Sequence, residues 1–326
     1  MKTIEKMNNA SAILPEISNH LMINGSMVFF SGLLYGKLGI SLFFFHYAWY
    51  TGNQLYDEYA RYLVDLVKSQ LHDDYPLDYE RGLAGVGAGF DYLKKHDFFD
   101  VGDDLMHQID LKIIKAVSYE SRVDLLIGFG RYLLSRYENN PTMKDSLIQL
   151  VDLLVKHSDT TQNINSFSFL CDLCLLGIEK EKIKHYLSGA MDALVNDIQK
   201  DTLSEKLFLL IKLSRVSSYC PYRQLVQNTL NSIFSKRKTS IADINELQWM
   251  LQCNKLLKEK EYLSVIPKIK NRIVKHLSFY DLSTLDDLFT TNHVFAFQGG
   301  YAGLGLVLIS ISNSESITWS NLLSFL

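Results

Sequence analysis

The sequence predicts an all-α protein in which seven inner and seven outer helices close into an α/α toroid. Three observations carry this reading: a glycine-rich helix start that recurs, a helix pair repeated about every 44 residues, and an apolar end in place of a polar cap. In Gly82-Leu83-Ala84-Gly85-Val86-Gly87-Ala88-Gly89, four glycines fall within eight positions, yet the segment runs straight on into Phe90, Tyr92 and Leu93. Each glycine inside a helix costs roughly 1 kcal/mol relative to alanine, so several together must be offset by a close approach that side chains would prevent. Gly36-Lys37-Leu38-Gly39 and Gly300-Tyr301-Ala302-Gly303-Leu304-Gly305 have the same form. The feature is therefore an architectural unit.

Taken in order, residues 1–26 form an N-terminal extension to a single domain covering 1–326. Ser31 to Tyr50 is the first glycine-containing apolar helix, ended by Thr51-Gly52-Asn53. The longest apolar run, Met27 to Phe45, is long enough to cross a membrane, but three glycines and Lys37 interrupt it and it fits the repeat, so it reads as a buried helix. Asn53 to Leu71 is amphipathic, with Leu55, Tyr59, Leu63, Leu66 and Val67 opposite Asp57, Glu58, Arg61, Asp65 and Lys68. This makes a pair: one helix apolar almost all round, one with a wet face.

The pair returns as Gly82 to Lys95 with Asp103 to Val117, and again as Leu125 to Arg136 with Pro141 to His157. Fixing the register on Gly36-x-x-Gly39, Gly82-x-x-Gly85, Leu125-x-x-Gly128, Cys171-x-x-Cys174 and Gly300-x-x-Gly303 gives steps of 46, 43 and 46, then a gap of 129 that three steps of 43 fill. Two more apolar helices, around Leu203 to Leu213 and Leu247 to Leu257, sit where the missing units belong, with partners over Tyr222 to Phe234 and Glu261 to Leu277. Such an array is either an open solenoid or a closed ring. Closure is favoured because the first helix of each pair is apolar on most sides, as an inner layer requires. Trp319, Leu322, Leu323, Phe325 and Leu326 look ready to pack against the first repeat instead of capping an open end.

Composition narrows the partners. With 47% hydrophobic residues, 21% charged residues and a net charge of -3, the chain has ample core and no basic nucleic-acid footprint; Lys236-Arg237-Lys238 reads as a solvated turn. No signal peptide or transmembrane segment is evident, and the four cysteines, Cys171, Cys174, Cys220 and Cys253, are too few for a disulfide framework. A cytoplasmic protein is expected.

On these residues the chain resembles the lanthionine synthetase C-like proteins. Arg81-Gly82-Leu83-Ala84-Gly85-Val86-Gly87 and Gly299-Gly300-Tyr301-Ala302-Gly303-Leu304-Gly305 look like that family's repeat. Gly128-Phe129-Gly130-Arg131-Tyr132-Leu133-Leu134 is similar to the run common in its third repeat. The resemblance spans the full chain in period, and in motif it covers repeats one, two, three and seven. It implies a role in maturing a ribosomally made modified peptide. Family cyclases join a cysteine thiol to a dehydrated serine or threonine, using zinc held by two cysteines and a histidine to lower the thiol pKa. The Trp-Cys-x-Gly and Cys-His-Gly motifs that carry those ligands are absent here: Trp249 precedes Met250, Cys220 precedes Pro221, and Cys253 precedes Asn254. The expectation is thus a divergent, zinc-free and non-catalytic member that binds a precursor peptide or a partner modification enzyme.

The resemblance puts the family's third-repeat aspartate near Ser121, with Glu120 adjacent and Asp124 as a further cavity-facing choice. Cys171, Cys174, Cys220 and Cys253 are the weak metal candidates, the lone CxxC reading first as small residues for packing. His276 and His293 read as helix-end or loop residues. Because α/α toroids also host glycoside hydrolases and lyases, paired carboxylates about 5 to 9.5 Å apart are the signature of the alternative, a carbohydrate-active enzyme. Asp78, Glu80, Asp124, Asp286 and Asp287 are its candidates, and each also suits a helix N-terminus. A plain interaction scaffold is the third reading.

Overall fold

The computed structural model describes residues 13–157, 164–188, 204–216, 224–226, 228, 244–256, 293–312 and 318–323. Its helices are α1 (Leu14–Asn24), α2 (Lys37–Thr51), α3 (Gln54–Gln70), α4 (Leu83–Lys95), α5 (Asp103–Val117), α6 (Val123–Tyr137), α7 (Lys144–His157), α8 (Ile164–Leu175), α9 (Ser204–Val216), α10 (Ile244–Leu256) and α11 (Tyr301–Ser312). Residues 180–188 are also helical, and the described residues contain no strand.

The glycines start the inner helices by admitting a hook of backbone. Ahead of α4, the chain folds back so that Leu83 N donates to Pro76 O at 2.7 Å. A Cβ on Gly82 would lie 2.4 Å from Pro76 O, and one on Gly85 would lie 1.9 Å from Tyr79 O. Both are closer than any side chain tolerates. The same hook precedes α2, where Lys37 N donates to Phe30 O at 2.9 Å, and α11, where Tyr301 N donates to Val294 O at 2.7 Å. These carbonyls satisfy N–H groups that a helix start leaves unpaired, without any side-chain cap. The expected helix over Ser31–Tyr50 therefore begins only at Lys37, its first residues being spent on the hook. Lys37 is itself buried and donates to Val28 O at 2.5 Å, with its pKa lowered by burial.

A third glycine locks neighbours together. Gly87 leaves room for the Tyr132 ring, Gly130 for Phe169 and Gly305 for Phe43, each aromatic coming from the next inner helix; a Cβ would meet those rings at 2.4, 2.3 and 2.3 Å. Going round, α2 touches α4, α4 touches α6, then α8, α9, α10 and α11 follow, and α11 returns to α2. The seven inner helices form a closed ring.

Outside it, α3 packs on α2, α5 on α4 and α7 on α6. Their burial is one-sided, as in α3, where Ala60, Leu63, Val64 and Val67 face inward while Leu55 stays exposed. The outer place beside α11 is filled by α1, which presents Leu14, Ile17 and Leu21 to the core. The segment read from sequence as an extension thus contains part of the outer layer.

Two further expectations change. The inner helix of the fourth repeat starts at Ile164, so Cys171-Asp172-Leu173-Cys174 lies in its second half and not at a glycine-type start. The ring closes through Phe169, which seats on Gly130 instead. Residues 318–323 form a short 3-10 helix that packs on α4 and α10, two inner helices that are not ring neighbours. Trp319 is fully buried there, donating from Nε1 to Ser310 Oγ at 2.9 Å and meeting Phe297 at 5.8 Å. Tyr79 Oη donates to Leu322 O at 3.2 Å. Residues 318–323 therefore bridge inner helices of the second and sixth repeats.

Cys220, His276, Asp286, Asp287, Phe325, Leu326, the Lys236–Lys238 cluster and the outer helix expected over Glu261–Leu277 lie outside the described residues. Of Tyr222–Phe234, residues 224–226 and 228 are described, as helix.

Candidate functional site

The hooks gather at the end of the ring where the inner helices begin. Gln298 N donates to Leu34 O at 3.1 Å and Leu34 N donates to Glu80 O at 2.9 Å, so the hooks of the last, first and second repeats are laced together. Arg81 crosses this seam. Its guanidinium lies 4.4 Å from the Phe30 ring centre and 5.6 Å from that of Tyr35, and its Nη2 donates to His293 Nε2 at 3.0 Å. His293 must accept with an unprotonated nitrogen, in keeping with a pKa lowered first by burial and then by the Arg81 charge. In front of these rings is a cavity of about 330 Å³, lined by Phe29, Phe30, Tyr35, His293, Val294 and Phe295 among others.

Carboxylates stand beside it. Glu80 is exposed as a residue, but partial loss of water raises its carboxyl pKa. The charge of Asp78 raises it further, Arg81 offsets part of the rise, and Asp124 adds a smaller push. Glu80 also acts on Tyr35, whose hydroxyl burial and this charge push up to about 12. The sequence candidates of the third repeat separate here. Asp124 is exposed in the first turn of α6 and joins the acidic rim. Ser121 is exposed, while Glu120 accepts from Ser121 N and Arg122 N at 2.9 Å each and so holds its own turn. Burial works against its charge, but those backbone bonds and Arg122 win, and its pKa is lowered.

A different charged group lies deep in the ring. Asp172 Oδ2 accepts from Arg131 Nη1 at 2.5 Å and from Lys212 Nζ at 2.7 Å, and Lys212 Nζ also lies 2.9 Å from Ser168 Oγ. Burial pushes Lys212 down to about 8, with Asp172 partly restoring it. The motif residue Arg131 thereby ties α6 to α8 and α9, while its neighbour Tyr132 donates to Asp110, which also pairs with Arg136 at 3.0 Å. A second cavity, of about 420 Å³, lies between this layer and residues 318–323 and includes Tyr79, Tyr92, Lys95 and Arg131 in its wall.

Cys171, Cys174 and Cys253 are buried, and burial raises all three thiol pKa values. No group of three or more histidines, cysteines or acids able to hold a metal occurs among the described residues.

Sequence reasoning missed Arg81 as a bridge, and it missed Asp172 and Lys212 altogether. Asp172 was visible as the polar centre of the CxxC, and Lys212 as a lone cation inside Leu207–Leu213.

A closed ring of inner helices with an outer layer is an α/α toroid. Among solved structures, seven chains match. One is nisin cyclase, at 14% identity, with the match covering 100% of this chain and 98% of that chain at a TM-score of 0.68. No protein-family model matches the chain, and no curated protein matches it by sequence. The likeness is one of fold. No helix among the described residues is long and apolar enough to cross a membrane.

Proposed function

We propose that this protein acts in the maturation of a ribosomally made modified peptide, binding the precursor peptide or a partner modification enzyme at the rim of the inner-helix hooks. It does so without zinc and as an accessory, not as an autonomous cyclase. The single observation that carries the reading is the end-to-end match to the nisin cyclase fold; the zinc-free part rests on the absence of the Trp-Cys-x-Gly and Cys-His-Gly motifs from the sequence. A toroid offers a flexible chain the rim where its inner helices start, and here that rim has an apolar cavity, a stacked guanidinium and carboxylates. The hooks are fixed to one another by backbone hydrogen bonds, so the surface is preformed and little ordering cost falls on the protein.

The test uses a dehydrated lanthipeptide precursor with free cysteine thiols. Purified protein is expected to bind it, to contain no stoichiometric zinc, and to leave its free thiols open to alkylation. About one zinc per chain, or thiol loss on incubation, would overturn the accessory reading.

One observation favours a second reading. Glu80, whose carboxyl pKa is raised first by burial and then by Asp78, is the residue that reading would use as its general acid. If the chain is a carbohydrate-active toroid, replacing Glu80 and Asp124 by alanine abolishes glycan turnover; unchanged turnover removes that reading.

A further inference from the structure

We infer that Arg81 and His293 form an acid-sensitive latch across the seam where the ring closes: they hold the hooks of the second and last repeats together over that of the first while His293 is neutral, and release them when it takes up a proton. The latch is independent of what the ring binds.

The hydrogen bond itself fixes the protonation state. Arg81 Nη2 lies 3.0 Å from His293 Nε2, and a guanidinium can only donate. His293 Nε2 is therefore the nitrogen with the lone pair, and the imidazole proton is on Nδ1. A protonated imidazole has no lone pair to offer, so proton uptake exchanges this bond for two cations in contact. Arg81 has little room to retreat. Its backbone N–H donates to Asp78 Oδ1 at 2.7 Å and its carbonyl accepts from Tyr75 Oη at 3.3 Å, while its Cα lies so near Gly32 that a Cβ on that glycine would be 2.2 Å away. The guanidinium is seated on Phe30 and Tyr35, and its Nε is buried without a hydrogen-bond partner. It loses a further bond when His293 charges, and the repulsion falls on the contact between hooks.

Among the described residues, three hooks meet at His293. From the first, Tyr35 faces it with ring centres 4.7 Å apart, and Phe30 stands edge-on at 6.3 Å. From the second comes Arg81. Its own hook continues as Val294, Phe295 and Ala296, which carry no charge. Asp78 and Glu80 belong to the Arg81 hook, and the charge of Glu80 acts on Tyr35. The pKa of His293 is nevertheless lowered, first by burial and then by Arg81, as expected where the charged form loses water and meets a like charge. The sign follows. A histidine in the unfolded chain titrates near about 6.5, so the unfolded state takes up the proton more readily than the folded one. The latch is closed above about pH 6.5 and is lost as pH falls below it. The backbone bonds that opening loosens are those beside the latch, from Gln298 N to Leu34 O and from Leu34 N to Glu80 O.

The experiment follows the full chain by amide hydrogen exchange and histidine NMR at about pH 7.5 and about pH 5.5, either side of the ordinary histidine value. With intrinsic exchange rates divided out, the Leu34 and Gln298 amides are expected to lose at least about tenfold in protection at the lower pH, while that of Ile113 in the outer helix α5 does not change. H293Q, whose Oε1 accepts from Arg81 without titrating, is expected to keep the seam protected at both. Unchanged protection in the wild type, or the same loss in H293Q, would sink the proposal. The NMR arm decides the matter even if H293Q does not fold. Wild-type His293 is expected to carry its neutral proton on Nδ1 and to titrate below 6.5, and R81Q to move that titration upward. A neutral proton on Nε2, or a titration that R81Q leaves in place, overturns the latch.

Discussion

Asp172 carries more of the ring's integrity than any cysteine around it. It is the single carboxylate between two cations, Arg131 and Lys212, that are almost fully buried. Replacing it with asparagine leaves two unneutralised charges in the core, and removing one partner of a buried pair costs about 3–5 kcal/mol. Asp172→Asn is expected to lose that much in a denaturant titration. Lys212→Met leaves a balanced Arg131–Asp172 pair at similar volume and is expected to cost less than about 1.5 kcal/mol. The sign with pH follows. Burial alone would raise the Asp172 pKa, but Lys212 and Arg131 outweigh it and hold it below its ordinary 3.8. The folded state therefore binds the proton less readily than the unfolded one. The stability is present above about pH 4 and is lost as pH falls below it. An acid titration of Asp172→Asn is expected to lack this limb.

The hook and the inner helix it starts form the unit that repeats, and its glycines are not equivalent. At Gly85 a Cβ would strike the Tyr79 carbonyl at 1.9 Å, which is backbone fixed by the hook, whereas at Gly87 it would strike the Tyr132 ring at 2.4 Å. A ring can tilt, but a hooked backbone can give only by opening. Gly87→Ala is accordingly expected to cost about 1–3 kcal/mol, the range for overpacking. Gly85→Ala is expected to exceed it in the same unfolding assay and to expose Tyr79 to solvent. The pattern explains why the glycines at 36, 82 and 300 were readable as helix starts: they recur because the hook recurs. It also explains the misread fourth repeat. Cys171-x-x-Cys174 has the spacing of small residues, but it lies in the second half of α8, and the aromatic Phe169 is what meets its neighbour.

Closure of the ring puts its two ends in different chemical settings. The hook end gathers the seam cavity and the carboxylates, while residues 318–323 fill part of the interior, with Trp319 fully buried against Ser310 and Phe297. Trp319→Ala is expected to cost about 3–5 kcal/mol, the range for deleting a buried large aromatic. Its effect would appear as a lower thermal transition of the entire chain, because Leu322 and Tyr79 tie the segment to α4. A separate early transition confined to the C-terminus would contradict that coupling.

The sequence was enough for the helical class, the count of inner helices and the glycine logic, because periodicity and steric allowance are local properties of the chain. It also put Asp124 at the start of an inner helix. It did not reveal that Arg81 would stack on Phe30 and reach His293, that Asp172 would sit between Arg131 and Lys212, or that residues 318–323 would bridge α4 and α10. Each of those joins residues from different repeats, and their proximity exists only once the seventh inner helix has closed on the first.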